Sequence, residues 1–290
     1  MGMGKSRSLI YRSHPLEKKN AAITRATIVI HGQGRNADDY FRTGVAAAFL
    51  AGALDDTVVI SPRFASKDGN CNDKLAEGEV NWKCSGNSWR SGATAMNRAD
   101  LTSYDFVDEL LRKLANKKIF PNLKVIVVSG HSAGGQYVAR YAMSSKLHET
   151  LGVKVTYVVS NPSSYAYLDA ERPAAHDQCE STYDQWPYGM SERQGYAATL
   201  PPGTLKDQYV SRPVTYLLGE LDTLPLAGFD STCPAMAQGP NRLMRGKAYA
   251  ETMTVKYGAM AHTVTTVPLC GHNARCMFTA DPALKVLFPK

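Results

Sequence analysis

Short apolar runs alternate with amphipathic stretches along most of the chain. Runs rich in β-branched residues predict buried strands at 27–30, 57–61, 123–128, 153–159, 214–218 and 262–267, with a short edge strand at 9–14. Apolar residues at helical spacing predict intervening helices after Asn36, after Thr102, from the end of the 123–128 strand to about 146, at about 240–253, and past 277. This alternation is typical of an α/β protein with a mostly parallel sheet and helices on both faces.

Two of these helices carry capping signals at their starts. Asn36 is followed three residues later by Asp39, and Thr102 is followed three residues later by Asp105. On helical spacing, the residues expected to face the core are Phe41, Val45, Ala48 and Phe49 in the first helix and Phe106, Val107, Leu110, Leu111 and Leu114 in the second.

Two long stretches interrupt the alternation. Residues 63–98 are polar and rich in Gly and Asn, and residues 162–212 carry many aromatic side chains with weak periodicity. Loops of this length inside a domain are usually functional. We therefore predict one domain over residues 1–290 whose two insertions wall an active site. The aromatic candidates for substrate binding are Trp82, Trp89, Tyr165 and Trp186, although the same side chains could instead anchor long loops.

Composition sets outer limits on the function. The chain has 290 residues, of which 44% are hydrophobic, enough for one large core. Its net charge is +7, but Lys and Arg are scattered, which favours a basic surface over nucleic-acid binding and allows a mild attraction to anionic substrates. No apolar run approaches the length of a membrane span. The oligomeric state stays open.

Six cysteines lie in loop-like neighbourhoods, and none belongs to a Cys-x-x-Cys pair. An even number of loop cysteines predicts disulfides and an oxidising compartment, against the alternative of six reduced thiols in a cytosolic enzyme. Local order favours the pairs Cys71–Cys84, Cys179–Cys233 and Cys270–Cys276. Residues 1–5 lack the apolar core of a signal peptide, so we expect a secreted or periplasmic protein whose leader is absent from this sequence.

The strand at 123–128 leads into a Gly-x-Ser-x-Gly pentapeptide, Gly130-His131-Ser132-Ala133-Gly134, and a helical pattern follows at once. A nucleophile elbow has this order of strand, sharp turn and helix. Gly130 and Gly134 suit it because a Cβ at either position would collide with a neighbouring backbone. Ser132 is therefore the candidate nucleophile.

A serine nucleophile needs a general base, normally a histidine. Four histidines follow Ser132 in the chain, and His272 is favoured because it lies on a glycine turn after the last strand. The other three are His148 at the end of a helix, His176 in the aromatic insertion and His262 at the start of a strand. Cys270-x-His272-x-x-x-Cys276 lacks a second pair of ligands, so no metal site is expected.

The carboxylate that orients the histidine should follow an earlier strand. Asp222 meets this condition and preserves the chain order Ser, Asp, His. Glu220 is its nearby rival, and Asp169 is a weaker one.

The oxyanion of acyl transfer needs at least two hydrogen-bond donors. The backbone N–H of Ala133 is one candidate, and the turn after the first long strand should supply the other. In that turn we nominate the N–H of Gln33, with Gly34 next to it as a further contact for the substrate. His31 is expected to be a structural hydrogen-bonding residue.

These motifs together resemble the α/β-hydrolase superfamily: the elbow, His-Gly-x-Gly at 31–34, Gly-Glu-x-Asp-Thr at 219–223 and Gly-His at 271–272. Residues 161–165 and 235–242 are similar to segments in a group of often exported microbial hydrolases of esterase type. The resemblance implies an α/β-hydrolase fold, a Ser132–Asp222–His272 triad and no cofactor.

We therefore expect a serine esterase that acts on a small or polymeric ester through an acyl-enzyme. Esters are favoured because an alkoxide leaves more readily than an amine. The alternatives are a peptidase or amidase with the same triad, and a non-catalytic binding protein on a hydrolase scaffold. A Cys270–Cys276 disulfide would tether the turn that carries His272.

Overall fold

A seven-stranded, mostly parallel sheet forms the centre of the computed structural model, which describes residues 6–86, 88–226 and 228–290. Its strands are β1 (Ile10–Arg12), β2 (Arg25–Ile30), β3 (Thr57–Pro62), β6 (Val125–His131), β7 (Lys154–Ser160), β8 (Val214–Gly219) and β9 (His262–Val267), while β4 (Thr94–Ala95) and β5 (Arg98–Thr102) form a separate hairpin. The order across the sheet is β1-β3-β2-β6-β7-β8-β9, and only β1 runs antiparallel to its neighbour. Residues 1–5, which bear on the signal peptide, lie outside the described residues.

Helices cover both faces of the sheet. They are α1 (Ala37–Leu50), α2 (Ser103–Ala115), α3 (Ala133–Ser144), α4 (Pro202–Ser211), α5 (Cys233–Met236), α6 (Arg242–Glu251), α7 (Ala274–Thr279) and α8 (Asp281–Leu287). One apolar cluster joins Ile28 and Val128 to residues of α2, α3 and α6, and a second joins Val29 and Val127 to residues of α1, α7 and α8. Alternate residues of each strand thus enter opposite layers, and the predicted α/β architecture is confirmed.

The central strand β6 is buried at every position, which explains its continuous apolar sequence. The helix after it begins directly at Ala133, so the turn between them consists of Ser132 alone. Helix α2 begins with the predicted capping box: the Thr102 side chain accepts from the Asp105 N–H, and the Asp105 carboxylate accepts from the Thr102 N–H.

Helix α1 buries Ala48 and packs Phe41 and Val45 partly against the core, as predicted, but it leaves Phe49 outside. At Gly44 the helix packs closely against the sheet: a Cβ on this residue would lie only 2.9 Å from Val59 and 3.0 Å from Val29. Phe49, expected in the core, is left 69% exposed. Asn36 precedes the helix as predicted, but its side chain donates to the Asp39 carboxylate and makes no capping bond to the backbone.

Both insertions are ordered by short elements and disulfides. The first contains the 3₁₀ turn Trp89–Ser91 and the β4–β5 hairpin, and the second contains two 3₁₀ turns and α4. The cysteines pair as Cys71–Cys84, Cys179–Cys233 and Cys270–Cys276, the pairing that local order favours. Within the described residues, every helix is too short or too polar to cross a bilayer.

Candidate active site

Ser132 lies at the sharp turn between β6 and α3, with the unusual backbone angles φ 59° and ψ −119°. Its N–H donates to the carbonyl of Ser160 at the end of β7, at 2.9 Å. A Cβ on Gly130 would overlap the backbone of Gly134, and a Cβ on Gly134 would overlap the carbonyl oxygen of Ile30. The glycines therefore allow three backbone segments to meet directly below the serine.

The three side chains expected to form a triad are in hydrogen-bond contact. Nε2 of His272 lies 2.9 Å from Oγ of Ser132, and Nδ1 of His272 lies 2.8 Å from Oδ2 of Asp222. Because the carboxylate can only accept, Nδ1 carries the proton and Nε2 is left to accept from the serine hydroxyl. Asp222 is 1% exposed and Ser132 is 7% exposed, so both ends of this chain of bonds are buried.

A single asparagine ties together the strand ends that carry these residues. Asn161 follows β7; its Oδ1 accepts from the Gly219 N–H at 2.8 Å, and its Nδ2 donates to the Gly271 carbonyl at 3.3 Å. The turn of Asp222 therefore stays next to the turn of His272. The sequence contained Asn161 in the segment 161–165, but nothing in that segment indicated a role for its side chain.

Arg242, at the start of α6, lies on the other oxygen of the Asp222 carboxylate. One of its terminal nitrogens is 3.6 Å from Oδ1 of Asp222, and its Nε donates to Oγ of Ser163 at 2.8 Å. Burial lowers the pKa of Arg242, and the neighbouring Asp222 charge opposes this shift. Sequence reasoning missed this residue; the similarity of segment 235–242 to other hydrolases was its only signal.

The turn after β2 lines the same cleft as Ser132, through Gly32, Gln33 and Gly34. Within the part of the chain that the structure describes, neither the Gln33 N–H nor the Ala133 N–H donates a hydrogen bond to another group. The turn is closed by a 3.2 Å bond from the Arg35 N–H to the Gly32 carbonyl. Both amides thus have no protein acceptor among the described residues.

His31 supports this turn from beneath, as the sequence predicts. Its Nδ1–H donates to the Gly32 carbonyl at 2.8 Å, and its Nε2 accepts from the Phe64 N–H at 3.0 Å. This pattern requires a neutral ring, and burial lowers the pKa of His31 to about 4.

A cleft of about 710 Å³ opens beside Ser132 and His272. Gln33 and Gly34 line it, and the role of Gly34 as a substrate contact stays a prediction. Polar side chains line much of the remaining wall, namely Asn36, Asp39, Thr43 and Arg275.

The four aromatic residues that were predicted to line the cleft do not line it. Trp82, Trp89 and Tyr165 are no more than 2% exposed, and a side chain buried to this degree cannot line a cleft. Trp89 packs on His31, with ring centroids 4.9 Å apart, and the indole N–H of the partly buried Trp186 donates to the Ser91 carbonyl. These four aromatic residues therefore anchor the insertions and do not line the substrate cleft described above, because burial of so much apolar surface stabilises the loops.

The rival histidines and carboxylates are engaged away from Ser132. His148 contacts the Tyr157 hydroxyl, His176 contacts Glu180, and His262 contacts the Tyr216 hydroxyl and the Tyr209 carbonyl. Glu220 accepts from the Leu269 N–H, and Asp169 binds Lys256 and Tyr257. Among the residues that the structure describes, no three His, Cys, Asp or Glu side chains cluster as metal ligands.

Comparisons with known proteins agree with this fold. The sequence profile of the alpha/beta hydrolase family matches residues 28–286. The structure is similar to that of LpqC, a poly(3-hydroxybutyrate) depolymerase from Bordetella parapertussis, with a TM-score of 0.69, 21% identity, and coverage of 97% of this chain and 83% of that one. It is also similar to poly(aspartic acid) hydrolase-1 from Sphingomonas sp. KT-1, with a TM-score of 0.64, 21% identity, and coverage of 93% and 90%.

A third similar structure is an S-formylglutathione hydrolase from Agrobacterium tumefaciens, with a TM-score of 0.53, 14% identity, and coverage of 97% of this chain and 87% of that one. At these identities the likeness shows the fold. A search of curated protein sequences found no match.

Proposed function

The chain belongs to the alpha/beta hydrolase family, and from this premise we propose that it is a serine esterase that cleaves carboxylic esters through an acyl-enzyme. Ser132 is the nucleophile, His272 the general base and Asp222 the carboxylate that orients it. The observation that carries the proposal is the pair of contacts on one imidazole, 2.9 Å to the serine hydroxyl and 2.8 Å to the carboxylate.

In the first half-reaction, Oγ of Ser132 attacks the ester carbonyl carbon while its proton passes to Nε2 of His272. The carbonyl oxygen becomes an oxyanion that accepts from the N–H groups of Gln33 and Ala133; loss of one such donor typically costs about 2.7–4 kcal/mol. Collapse of the tetrahedral intermediate breaks the bond to the leaving alkoxide, which takes the proton from His272 and departs as an alcohol.

In the second half-reaction, water attacks the acyl-enzyme and gives one proton to His272. The new tetrahedral intermediate expels Oγ of Ser132, which recovers that proton, and the carboxylic acid leaves. Asp222 stays ionised throughout and stabilises the imidazolium that forms twice in each cycle. Apart from the ester and water, only groups of the chain take part, so this mechanism requires no cofactor.

Labelling with a fluorophosphonate tests the nucleophile. We expect one label per chain in the wild type and none in Ser132→Ala, while Ser211→Ala, which alters an exposed serine at the end of α4, should be labelled like the wild type. A folded wild-type protein that takes no label would indicate a binding protein on a hydrolase scaffold.

A substrate panel then separates esterase from amidase. The proposal predicts turnover of p-nitrophenyl esters over a range of acyl lengths and no turnover of the matching p-nitroanilides. Faster cleavage of the anilides would identify a peptidase or amidase with the same triad. An insoluble polyester in the same panel distinguishes a polymer substrate from a small ester.

We also infer that the protein works in an oxidising compartment, as a secreted or periplasmic enzyme. The support is that all six cysteines are in disulfides. Alkylation of the freshly isolated native protein after denaturation should modify none of them; modification of all six would contradict the inference.

A further inference from the structure

Tyr40 lies between the turn after β2 and the nucleophile elbow. It belongs to α1, is 7% exposed and is one of the residues that line the cleft. Its hydroxyl is 3.2 Å from Nδ1 of His131, the residue directly before Ser132. On its other side the hydroxyl lies against the turn, since a Cβ on Gly32 would be only 2.7 Å from Oη of Tyr40. One hydroxyl group therefore contacts both the turn and the elbow.

This hydroxyl is used both as an acceptor and as a donor. Burial raises the pKa of Tyr40, and a backbone hydrogen bond from Gly32 opposes this rise, so the oxygen accepts from the Gly32 N–H and keeps its own proton at neutral pH. Burial lowers the pKa of His131 well below its ordinary value, so that ring is neutral. Nδ1 of His131 can then accept the proton that Tyr40 has to donate.

The peptide group between Gly32 and Gln33 sets the direction of the candidate oxyanion donor. This peptide is trans, so the Gln33 N–H points away from the side to which the Gly32 carbonyl points. That carbonyl accepts from His31 at 2.8 Å and from the Arg35 N–H at 3.2 Å. Tyr40 holds the same glycine by its N–H. The two supports together restrict rotation of the peptide that carries the Gln33 N–H.

Helix α1 gives Tyr40 a rigid base. Gly44 lies one turn further on the same face of the helix, and a Cβ there would be 2.9 Å from Val59 and 3.0 Å from Val29. The Tyr40 N–H donates to the Asn36 carbonyl at 3.3 Å. Because the helix packs directly on the sheet and the ring is buried, the hydroxyl keeps a fixed position relative to the strands.

We propose that Tyr40 is a positioning residue for the esterase: its hydroxyl holds the turn 32–34 against the elbow, so that the Gln33 N–H stays at the place where the oxyanion forms. The inference rests on the proposed function. The ester oxygen gains its negative charge only on the way to the tetrahedral intermediate, so a misplaced donor weakens the transition state more than substrate binding. Loss of the hydroxyl should therefore lower kcat and leave KM nearly unchanged.

Tyr40→Phe removes only this hydroxyl. With a p-nitrophenyl ester, kcat should fall about threefold to tenfold, the effect of one ordinary hydrogen bond. The inhibition constant of an alkyl trifluoromethyl ketone, whose adduct with Ser132 carries an oxyanion, should rise by the same factor. Active sites are counted by the end point of fluorophosphonate labelling, so that unfolded protein is not mistaken for slow enzyme. An unchanged kcat, or a change in KM alone, would overturn the inference.

Tyr209→Phe is the matched control. Tyr209 is also buried, its hydroxyl is 3.2 Å from the hydroxyl of Tyr216, and neither residue lines the cleft. The two variants should lose similar thermal stability, but Tyr209→Phe should keep the wild-type kcat. Equal falls in kcat would indicate a general loosening of the fold and would contradict a positioning role.

Gly32→Ala tests the same contact from the turn. In the wild type the new Cβ would displace the Tyr40 hydroxyl, and kcat should fall by a similar factor. In the Tyr40→Phe background that oxygen is gone, and the next atom of the ring, Cζ, lies at an ordinary contact distance of 3.6 Å. Gly32→Ala should then have little further effect. Multiplication of the two effects in the double variant would show independent sites and would overturn the link.

Amide hydrogen exchange tests the link without activity. A peptide that covers residues 31–36 should exchange faster in Tyr40→Phe than in the wild type, and at the wild-type rate in Tyr209→Phe. Equal exchange in all three proteins would overturn the inference, even if kcat had changed. If the wild type cleaves no ester but the exchange rates differ as expected, the proposed function fails and the link between turn and elbow stands.

Discussion

A terminal nitrogen of Arg242 lies 3.6 Å from Oδ1 of Asp222, while Oδ2 of the same carboxylate faces His272 at 2.8 Å. Both side chains of the Arg242–Asp222 pair are buried, with exposures of 0% and 1%. Arg242 is itself held by Ser163 through its Nε. The carboxylate therefore has a hydrogen bond to His272 on one oxygen and an ion-pair contact with Arg242 on the other, so a residue outside the triad balances its buried charge.

Removal of Arg242 should destabilise the protein strongly. Breaking a buried ion pair by removal of one partner typically costs about 3–5 kcal/mol, because the other charge is left buried. We expect a loss of that size in the free energy of unfolding of Arg242→Met, measured by urea denaturation. The control is Arg42→Met, whose arginine is 62% exposed and pairs with Asp38 and Asp39; it should lose less than about 1 kcal/mol. Equal losses in the two variants would contradict this account.

Asp222→Asn should abolish most activity and leave the fold intact. An amide nitrogen facing Nδ1 favours the tautomer with its proton on Nε2, and that nitrogen then cannot accept the proton of Ser132. A change of this kind in a triad lowers kcat by about 10⁴-fold. Steady-state kinetics with a p-nitrophenyl ester measure it. Glu220→Gln, which alters the rival carboxylate, should keep kcat near the wild-type value. A larger loss of kcat in Glu220→Gln than in Asp222→Asn would identify Glu220 as the carboxylate that orients His272.

Gly134→Ala should disrupt the elbow. The new Cβ would meet the carbonyl oxygen of Ile30 and lie 2.8 Å from that of His31, so backbone must move. Overpacking of this kind costs about 1–3 kcal/mol or more, and movement of the turn should abolish ester turnover. A matched control is Gly203→Ala on α4, where no atom lies within 4 Å of the new Cβ. There the substitution should stabilise by about 0.4–1 kcal/mol. Thermal unfolding and activity of both variants check the pair; full activity in Gly134→Ala would be inconsistent with the clash.

The sequence was enough to predict the strands, and also the proximity of Ser132, Asp222 and His272, for one physical reason. Strands covered on both faces read as continuous apolar runs, and parallel strands direct their carboxyl ends to a single edge. Residues that follow different strands were therefore expected together, although Ser132 and His272 are 140 positions apart.

Polar contacts made by loops were not accessible in the same way. Ser163 and Arg242 are 79 positions apart, and no local pattern indicates that the hydroxyl of one accepts from the other. The prediction that aromatic residues of the insertions line the cleft was wrong for a related reason. A large apolar ring suits both a cleft and a core, and the tertiary packing that buries Trp89 against His31 decided between them.

Removal of the Cys270–Cys276 disulfide should affect catalysis more than stability. It closes a loop with a sequence separation of only 6, so its loss costs about 2 kcal/mol on the loop-entropy scale. That loop carries His272, whose ring must stay within reach of Ser132, and we expect a clear fall in kcat for the double Ser variant.

The Cys71–Cys84 disulfide provides the comparison. Its sequence separation is 13, so the corresponding double Ser variant should lose more stability, about 3 kcal/mol. The loop that it closes contains none of the residues that line the cleft, whereas the loop between Cys270 and Cys276 contains His272, so kcat should fall less. Thermal unfolding and kinetics of both variants separate the two effects. A larger loss of kcat in the Cys71–Cys84 variant would remove the tethering argument.

His31 should make stability depend on pH in the acid range. Burial lowers its folded-state pKa to about 4, against an ordinary value of about 6.5. Above pH 6.5 both the folded and the unfolded states are neutral, so the contribution of His31 is fully present. As the pH falls below 6.5 the unfolded chain binds a proton that the folded chain refuses, and stability is lost until the folded pKa is reached. A shift of this size corresponds to a total loss of about 3 kcal/mol.

The measurement is the free energy of unfolding from pH 8 to pH 4 for the wild type and for His31→Gln. Other buried histidines also contribute to the wild-type slope, because burial lowers the pKa values of His131, His148 and His262. The difference between the two curves isolates His31: it should be constant above pH 7 and should change by about 3 kcal/mol between pH 6.5 and pH 4. Parallel curves over the whole range would mean that His31 binds a proton below pH 6.5 as readily in the fold as in the unfolded chain, which would contradict its acceptance of the Phe64 N–H in a buried neutral form.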